Sequence, residues 1–199
     1  MVKGYTIYNG LVCQQHQNYL SVFDKLIDEI EPEQIIEIGT ANGGFIFSLH
    51  EIALEKGIHT SIRTYDIGVC PNHALLDAVN IDQRTFNIFT DKWELNIYSI
   101  DDVGNFIKRD GKTLVICDGG NKPMEFNALA PLLKSGDHII VHDYAQSYKS
   151  FVQDNLHKVW NWCECTYTDI EEAVEENQLM PFMYDEMKSI VWGSFYKSK

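Results

Sequence analysis

No stretch of this chain approaches the roughly 18 consecutive apolar residues of a membrane-spanning helix, which excludes an integral helical membrane protein. The start, Met1-Val-Lys-Gly-Tyr-Thr-Ile-Tyr8, lacks the long apolar core of a secretory signal, so a cytoplasmic location is expected. Basic residues are scarce: 16 Lys and Arg stand against 29 Asp and Glu, for a formal net charge of −13. No Lys/Arg cluster interrupts that acidity, and such a surface repels DNA, RNA and anionic lipid, so neither nucleic acid nor membrane is expected as a partner. There is no C-x-x-C. The five cysteines, Cys13, Cys70, Cys117, Cys163 and Cys165, are odd in number, and Cys163-Glu-Cys165 is not a zinc spacing. Reduced thiols are the reading that remains. Internal repeats, low-complexity tracts and linkers are missing as well.

What is present is an ordinary globular composition, 45% hydrophobic and 23% charged over 199 residues, enough for one domain with a full core. The expected division is an N-terminal segment and helix (1–31), a cofactor-binding core (34–144) and C-terminal helix and strand elements (145–199). Residues 1–14 read as a short strand or a lid. Tyr19, Leu20, Phe23, Leu26, Ile27 and Ile30 recur at helical spacing and predict a helix over 16–31 whose stripe packs into the core. The spacing then predicts strands at Gln34–Ile38, Ser61–Asp66, 85–89, Thr113–Cys117 and 138–142. Helices are predicted between them over 43–56, 72–80, 99–108 and from Pro123 to Gly136, followed by one over 151–159. Residues 189–196 alternate apolar and polar as a final strand. The acids Asp169, Glu171, Glu172, Glu175 and Glu176 read as a solvated helix face. The alternation predicts an α/β fold: one doubly wound, mostly parallel sheet with helices on both faces and an antiparallel C-terminal strand.

Ligands of such sheets bind beyond the carboxyl ends of the strands. There the chain supplies Glu37, Asp66, Asp91, Asp118 and the His142-Asp143 pair, a carboxylate at the end of every parallel strand. That much like charge on one rim calls for a cation or a hydroxyl-rich ligand. The segment Gln34-Ile-Ile-Glu-Ile-Gly-Thr-Ala-Asn-Gly-Gly44 reads as strand, tight turn and helix start, the arrangement of a nucleotide-type cofactor site. Asp66 is placed to accept both hydroxyls of a ribose. A dinucleotide fingerprint would be G-x-G-x-x-G, but Ala41 stands at its second glycine, and Glu37 would repel a pyrophosphate. An acid there suits a ligand carrying an ammonium and a sulfonium, which favours S-adenosylmethionine over NAD.

These residues resemble the class I S-adenosylmethionine-dependent methyltransferases. The block from Leu114 through Asp118-Gly-Gly-Asn121-Lys122 to His142-Asp143-Tyr144 is similar to their cephalosporin hydroxylase-like branch, which includes sugar and macrolide O-methyltransferases. The resemblance covers about residues 34–144 and implies a Rossmann-like methyltransferase domain. It implies that Glu37, Gly39, Thr40, Gly43 and Gly44 hold the methionine moiety, Asp66 the ribose, and Asp91 the adenine side, with Asp118 beside the cofactor. In metal-dependent members a divalent ion such as Mg²⁺ is held at the positions of Asp118, His142 and Asp143, where it would lower the pKa of an acceptor hydroxyl.

Two departures bear on the chemistry. The branch has Asp-Gly-x-His, but Asn121 occupies the His position and cannot serve as a base. Lys122 could replace it if its pKa were depressed, against the plain reading of an exposed lysine. His142 stands where relatives have an acid, and imidazole is a softer ligand than Mg²⁺ prefers. A different metal, His142 as the base, no metal at all, and a merely buried histidine all remain open. The aromatic cluster Trp160, Trp162, Tyr167 and Trp192 could line a substrate pocket, although core packing is the better reading for each singly, and Tyr144 and Tyr148 are the better pocket candidates. The expected activity is O-methylation of a small hydroxylated acceptor, with assistance by a divalent metal left open. The alternatives are an NAD-linked oxidoreductase of the same fold class and a non-catalytic cofactor binder. The acceptor, a sugar or secondary metabolite in the branch, is left unidentified, as are O- against N-methylation and the oligomeric state, with pairing through the N-terminal helix left open.

Overall fold

The computed structural model describes residues 4–198. The chain opens with a hairpin of β1 (Thr6–Tyr8) and β2 (Leu11–Cys13), paired from Thr6↔Cys13 to Tyr8↔Leu11. Asn9 and Gly10 take φ of 48° and 84°, the left-handed pair whose twist suits a two-residue hairpin turn. Helix α1 (Tyr19–Ile30) follows and buries Tyr19, Val22, Phe23, Leu26, Ile27 and Ile30, so the predicted stripe is core.

Next come β3 (Gln34–Ile38), α2 (Gly44–Glu55), β4 (Ser61–Asp66), α3 (His73–Ala78), β5 (Asp82–Thr85), α4 (Ile97–Ile107), β6 (Thr113–Cys117), α5 (Lys122–Leu129) and β7 (His138–Val141). The C-terminal part is built from β8 (Tyr144–Ala145), α6 (Tyr148–Ser150), β9 (Cys165–Thr166), α7 (Tyr167–Glu176), β10 (Leu179–Pro181), α8 (Tyr184–Ser189) and β11 (Gly193–Lys197). Seven strands form one sheet in the order β10-β11-β7-β6-β3-β4-β5. Strands β3 to β7 are mutually parallel, and β11 runs antiparallel to both β7 and β10. This is the doubly wound, mostly parallel sheet expected from the sequence. Its order reverses between β3 and β6, where ligands of such sheets bind.

The apolar runs of the central strands follow from burial on both faces. Ile35, Leu114, Ile116 and Ile140 join one core cluster with α1, α2 and Trp192. Ile36, Val115, Cys117, Ile139 and Val141 join the other with Phe106 of α4, Phe126 of α5 and Ile170 of α7.

Four predicted elements are displaced or shortened. The helix expected from Pro123 to Gly136 ends at Leu129 and gives way to a single tight turn, Ala130–Leu132, at Pro131. The third strand is Asp82–Thr85, not 85–89. Its polar residues carry no apolar alternation. It is held at the sheet edge by pairing from Arg63↔Asp82 onward, with Arg63 Nε donating to Asp82 Oδ2 at 2.7 Å. The helix expected over 151–159 is a π-helical turn, Phe151–Asn155, that follows α6. The final strand begins at Gly193, because residues 184–189 form α8. Among the described residues, no helix is long and apolar enough to cross a membrane, and all five cysteines are free.

Candidate active site

The turn after β3 is shaped by backbone conformation. Gly39, Ala41 and Gly43 take φ of 102°, 45° and 76°, so the chain folds back over the end of the strand before α2 begins. Gly44 is required by packing: a Cβ there would lie 2.5 Å from the Val12 carbonyl oxygen of the hairpin. Glu37, Gly39, Thr40, Gly43 and Gly44, with Gln14, Gln15 and Asp118, line a small cavity of 30 Å³. Glu37 is fully buried and accepts from Thr64 Oγ1 at 2.5 Å, and Thr64 in turn lies 2.6 Å from Thr40 Oγ1. Burial pushes the Glu37 carboxyl well above its usual pKa, and Asp118 and Asp66 push it the same way. The hydrogen bond from Thr64 pulls it the other way but is outweighed.

Asp66 accepts from the backbone N–H of Ala41 and of Gly68, both at 2.9 Å, which fixes its carboxylate at the rim. It opens onto an adjoining pocket of 190 Å³ lined by Ile38, Tyr65, Ile67, Phe86, Asn87 and Trp93. Asp91 is exposed in the turn closed by Trp93 N–H donating to Thr90 O, and it does not line this pocket; Asn87 and Trp93 do. Glu125 lies beneath, receiving the N–H groups of Gly119 and Asn121 at 3.0 Å each, and burial pushes its carboxyl up to about 7. Asn121 thus sits at the start of α5 with its backbone fixed.

Across Asp118 and Gly119 opens a third cavity, of 320 Å³, lined among others by Lys122, His142, Asp143, Trp160, Trp162 and Glu164. His142 Nδ1 lies 2.8 Å from Asp118 Oδ1, and its ring stacks on Trp192 at 4.6 Å. Its Nε2 is buried and has no hydrogen-bond partner. Burial draws the imidazole pKa down, but the Asp118 and Asp143 carboxylates outweigh it and leave it raised. Asp143 takes a left-handed φ of 52°, a turn that Asp tolerates better than most side chains. Gln15 Nε2 donates to Asp118 Oδ2 at 2.8 Å, and Trp192 Nε1 donates to Gln15 Oε1 at 3.0 Å.

Several expectations change here. Lys122 is buried rather than exposed, and its pKa is raised rather than depressed: burial opposes the charge, but Asp118, Asp143 and Glu164 outweigh it. Such an ammonium is no base. Tyr144 packs in the core against Phe195, and Tyr148 is exposed; Trp160 and Trp162 line the cavity instead. Gln15 and Glu164 carried no sequence signal, since a lone Gln and one acid among many are unremarkable until the fold joins them to Asp118 and Lys122.

The family model described as Rhamnosyl O-methyltransferase/CmcI matches residues 2–192. The chain belongs to that family. It is a class I methyltransferase by fold and family. Among solved structures, a CmcI structure described as containing Mg and SAM is 15% identical, covers 98% of this chain and 77% of its own, and has a TM-score of 0.69. An apo CmcI structure is also 15% identical, covers 98% of this chain and 76% of its own, and has a TM-score of 0.68. A putative caffeoyl-CoA O-methyltransferase from Staphylococcus aureus is 14% identical, covers 90% and 83%, and has a TM-score of 0.54. None of the curated proteins matches the chain.

For this family member, the metal set suggested by the sequence does not suit a divalent cation. Among the described residues, no group of three or more His, Cys, Asp and Glu side chains is arranged to hold one. Three of the four Asp118 and Asp143 oxygens already accept from His142, Gln15 and Trp160, and Lys122 Nζ lies 3.1 Å from the fourth, Asp143 Oδ2.

Proposed function

We propose that this protein transfers the methyl group of S-adenosylmethionine to a hydroxyl oxygen of a small acceptor, with His142 as the general base. The observation that carries the reading is the Asp118–His142 pair: Asp118 lines both the cavity beside Glu37 and the 320 Å³ cavity, and His142 lines the latter. Glu37, Gly39, Thr40, Gly43 and Gly44 would hold the methionine moiety, Asp66 the ribose, and the pocket with Asn87 and Trp93 the adenine. The uncompensated acids of that half favour a ligand bearing an ammonium and a sulfonium. The donor supplies a methyl carbon whose bond to sulfur breaks as the acceptor oxygen's electron pair attacks, leaving a neutral thioether.

The protein's tasks are alignment and proton removal. Asp118 holds the imidazole through Nδ1, which leaves Nε2 to take the hydroxyl proton. Trp160 and Trp162 line the cavity in which the acceptor would lie. The acceptor class suggested by the family description is a sugar hydroxyl.

S-adenosylhomocysteine is expected to raise the melting temperature, whereas NAD is not; the opposite pattern would sink the reading. Asp66→Ala should weaken S-adenosylhomocysteine by about 10- to 100-fold in calorimetric titration, the worth of one or two charge-assisted hydrogen bonds. An unchanged affinity would remove Asp66 from the ribose site.

A further inference from the structure

The carboxylates of this site face a cation that the chain itself supplies. Lys122 Nζ lies 2.7 Å from Glu164 Oε2, 3.1 Å from Asp143 Oδ2 and 3.8 Å from Asp118 Oδ1. It also donates to the Gly119 carbonyl oxygen at 3.3 Å. The side chain is only 7% exposed, an expensive place for an ammonium unless carboxylates surround it. It sits in the first turn of α5, where the helix dipole disfavours positive charge, so helix formation alone does not explain it.

The surrounding oxygens are committed as well. Asp118 receives His142 Nδ1 on Oδ1 and Gln15 Nε2 on Oδ2, both at 2.8 Å. Asp143 receives Trp160 Nε1 on Oδ1 at 2.5 Å and faces Lys122 with Oδ2. A hard divalent ion needs several oxygens at about 2.0–2.6 Å with lone pairs turned toward it. Here N–H groups point at those lone pairs, and a divalent ion among them would stand beside a fixed ammonium.

We propose that Lys122 is the resident cation of this site, taking the electrostatic place of a divalent metal ion, and that the protein works without one. Glu164 is the exchangeable partner: its side chain is 47% exposed, against 9% for Asp143 and 14% for Asp118. An acceptor oxygen entering the cavity displaces Glu164 and takes its hydrogen bond from Nζ. The ammonium then stabilises the negative charge that grows on that oxygen as His142 removes its proton. Lys122 thereby does by hydrogen bond and charge what a Lewis acid does by coordination.

This role rests on the methyl-transfer reading, but its first test does not. Mn²⁺ titrated into the unaltered full chain and followed by electron paramagnetic resonance is expected to show no binding that depends on Asp143. Binding that disappears in Asp143→Asn overturns the proposal; binding unchanged in that variant lies elsewhere and agrees with it. Lys122→Ala leaves three carboxylates facing one another, and Mn²⁺ binding sensitive to Asp143→Asn is expected to appear there. A folded Lys122→Ala protein that binds no Mn²⁺ overturns the assignment of Lys122 as the cation. Should that variant fail to fold, the titration of the unaltered chain still decides. Turnover, once an acceptor is in hand, is expected to be equal in EDTA and in Mg²⁺, and a Mg²⁺ requirement overturns the proposal. Failure to find methyl transfer with any acceptor tells against the enzymatic reading and leaves the Mn²⁺ result standing.

Discussion

His142→Gln lowers kcat by about 10²–10⁴-fold, the usual worth of a positioned general base. The affinity for S-adenosylhomocysteine stays close to that of the unaltered protein, because His142 lies across Asp118 from the residues proposed to hold the methionine moiety. Glutamine preserves much of the bulk stacked on Trp192, so the loss is expected without collapse of the core. The pH profile separates a base from a structural histidine. The folded-state pKa of His142 is raised because Asp118 and Asp143 outweigh the effect of burial. The base is the neutral imidazole, so activity rises with pH through that raised pKa. Stability runs the other way: the contribution of protonated His142 is fully present below the unfolded pKa and is lost as pH rises through the folded one. Rate and melting temperature therefore change in opposite directions over the same window. His142→Gln should flatten both. A variant that loses rate but keeps the rising limb would show that another group takes the proton.

Gly39→Ala destabilises the fold by about 3 kcal/mol or more, which lowers the melting temperature by about 6–12 °C for a domain of this size. The backbone at Gly39 has φ 102°, outside the range side chains adopt easily. A Cβ there would lie 2.2 Å from the Asp118 carbonyl oxygen and 2.8 Å from the Gly119 nitrogen. Neither is the end of a flexible side chain. Gly39 N–H also donates to Tyr65 O at 2.8 Å, and Asp118 N–H donates to Ile38 O at 3.0 Å, so the ends of three strands meet at this residue. Gly57→Ala is the comparison: φ is 71°, but nothing lies within 4 Å of its Cβ. It should cost about 1 kcal/mol, the conformational penalty alone. Equal losses in the two variants would mean that the close approach to Asp118 contributes nothing. The alanine should also push Asp118 from its place and weaken S-adenosylhomocysteine, which Gly57→Ala should not do.

The same glycine shows what could be read from sequence. Gln34–Ile38 and Thr113–Cys117 are buried at every position, so their apolar runs marked them and their limits were legible. The glycine turn and the acids at the ends of β3, β4, β6 and β7 followed from those limits. Strand β5 was not legible, because Asp-Gln-Arg-Thr at a sheet edge is held by backbone pairing and the Arg63–Asp82 ion pair rather than by apolar burial. Residues 1–14 read only as a short strand or a lid, because the two strands of the hairpin are too short to show alternation. Lys122 was misread for a different reason. Its partners Asp143 and Glu164 lie far along the chain, and only β7 and the approach to β9 bring them back over α5. An isolated lysine in a sequence looks like a surface residue until that return is known.

Gln15 ties Asp118 to Trp192, and its own bond to Trp192 joins side chains 177 positions apart in the chain. The site therefore depends on the far end of the chain. A chain cut before residue 192 keeps the residues of the glycine turn, Asp118 and His142. It lacks Trp192, the ring on which His142 stacks and the donor that holds Gln15 in place. Removal of the last strand and the residue before it is therefore expected to disturb Asp118 and His142 at the centre of the sheet, although neither lies near the C-terminus in sequence.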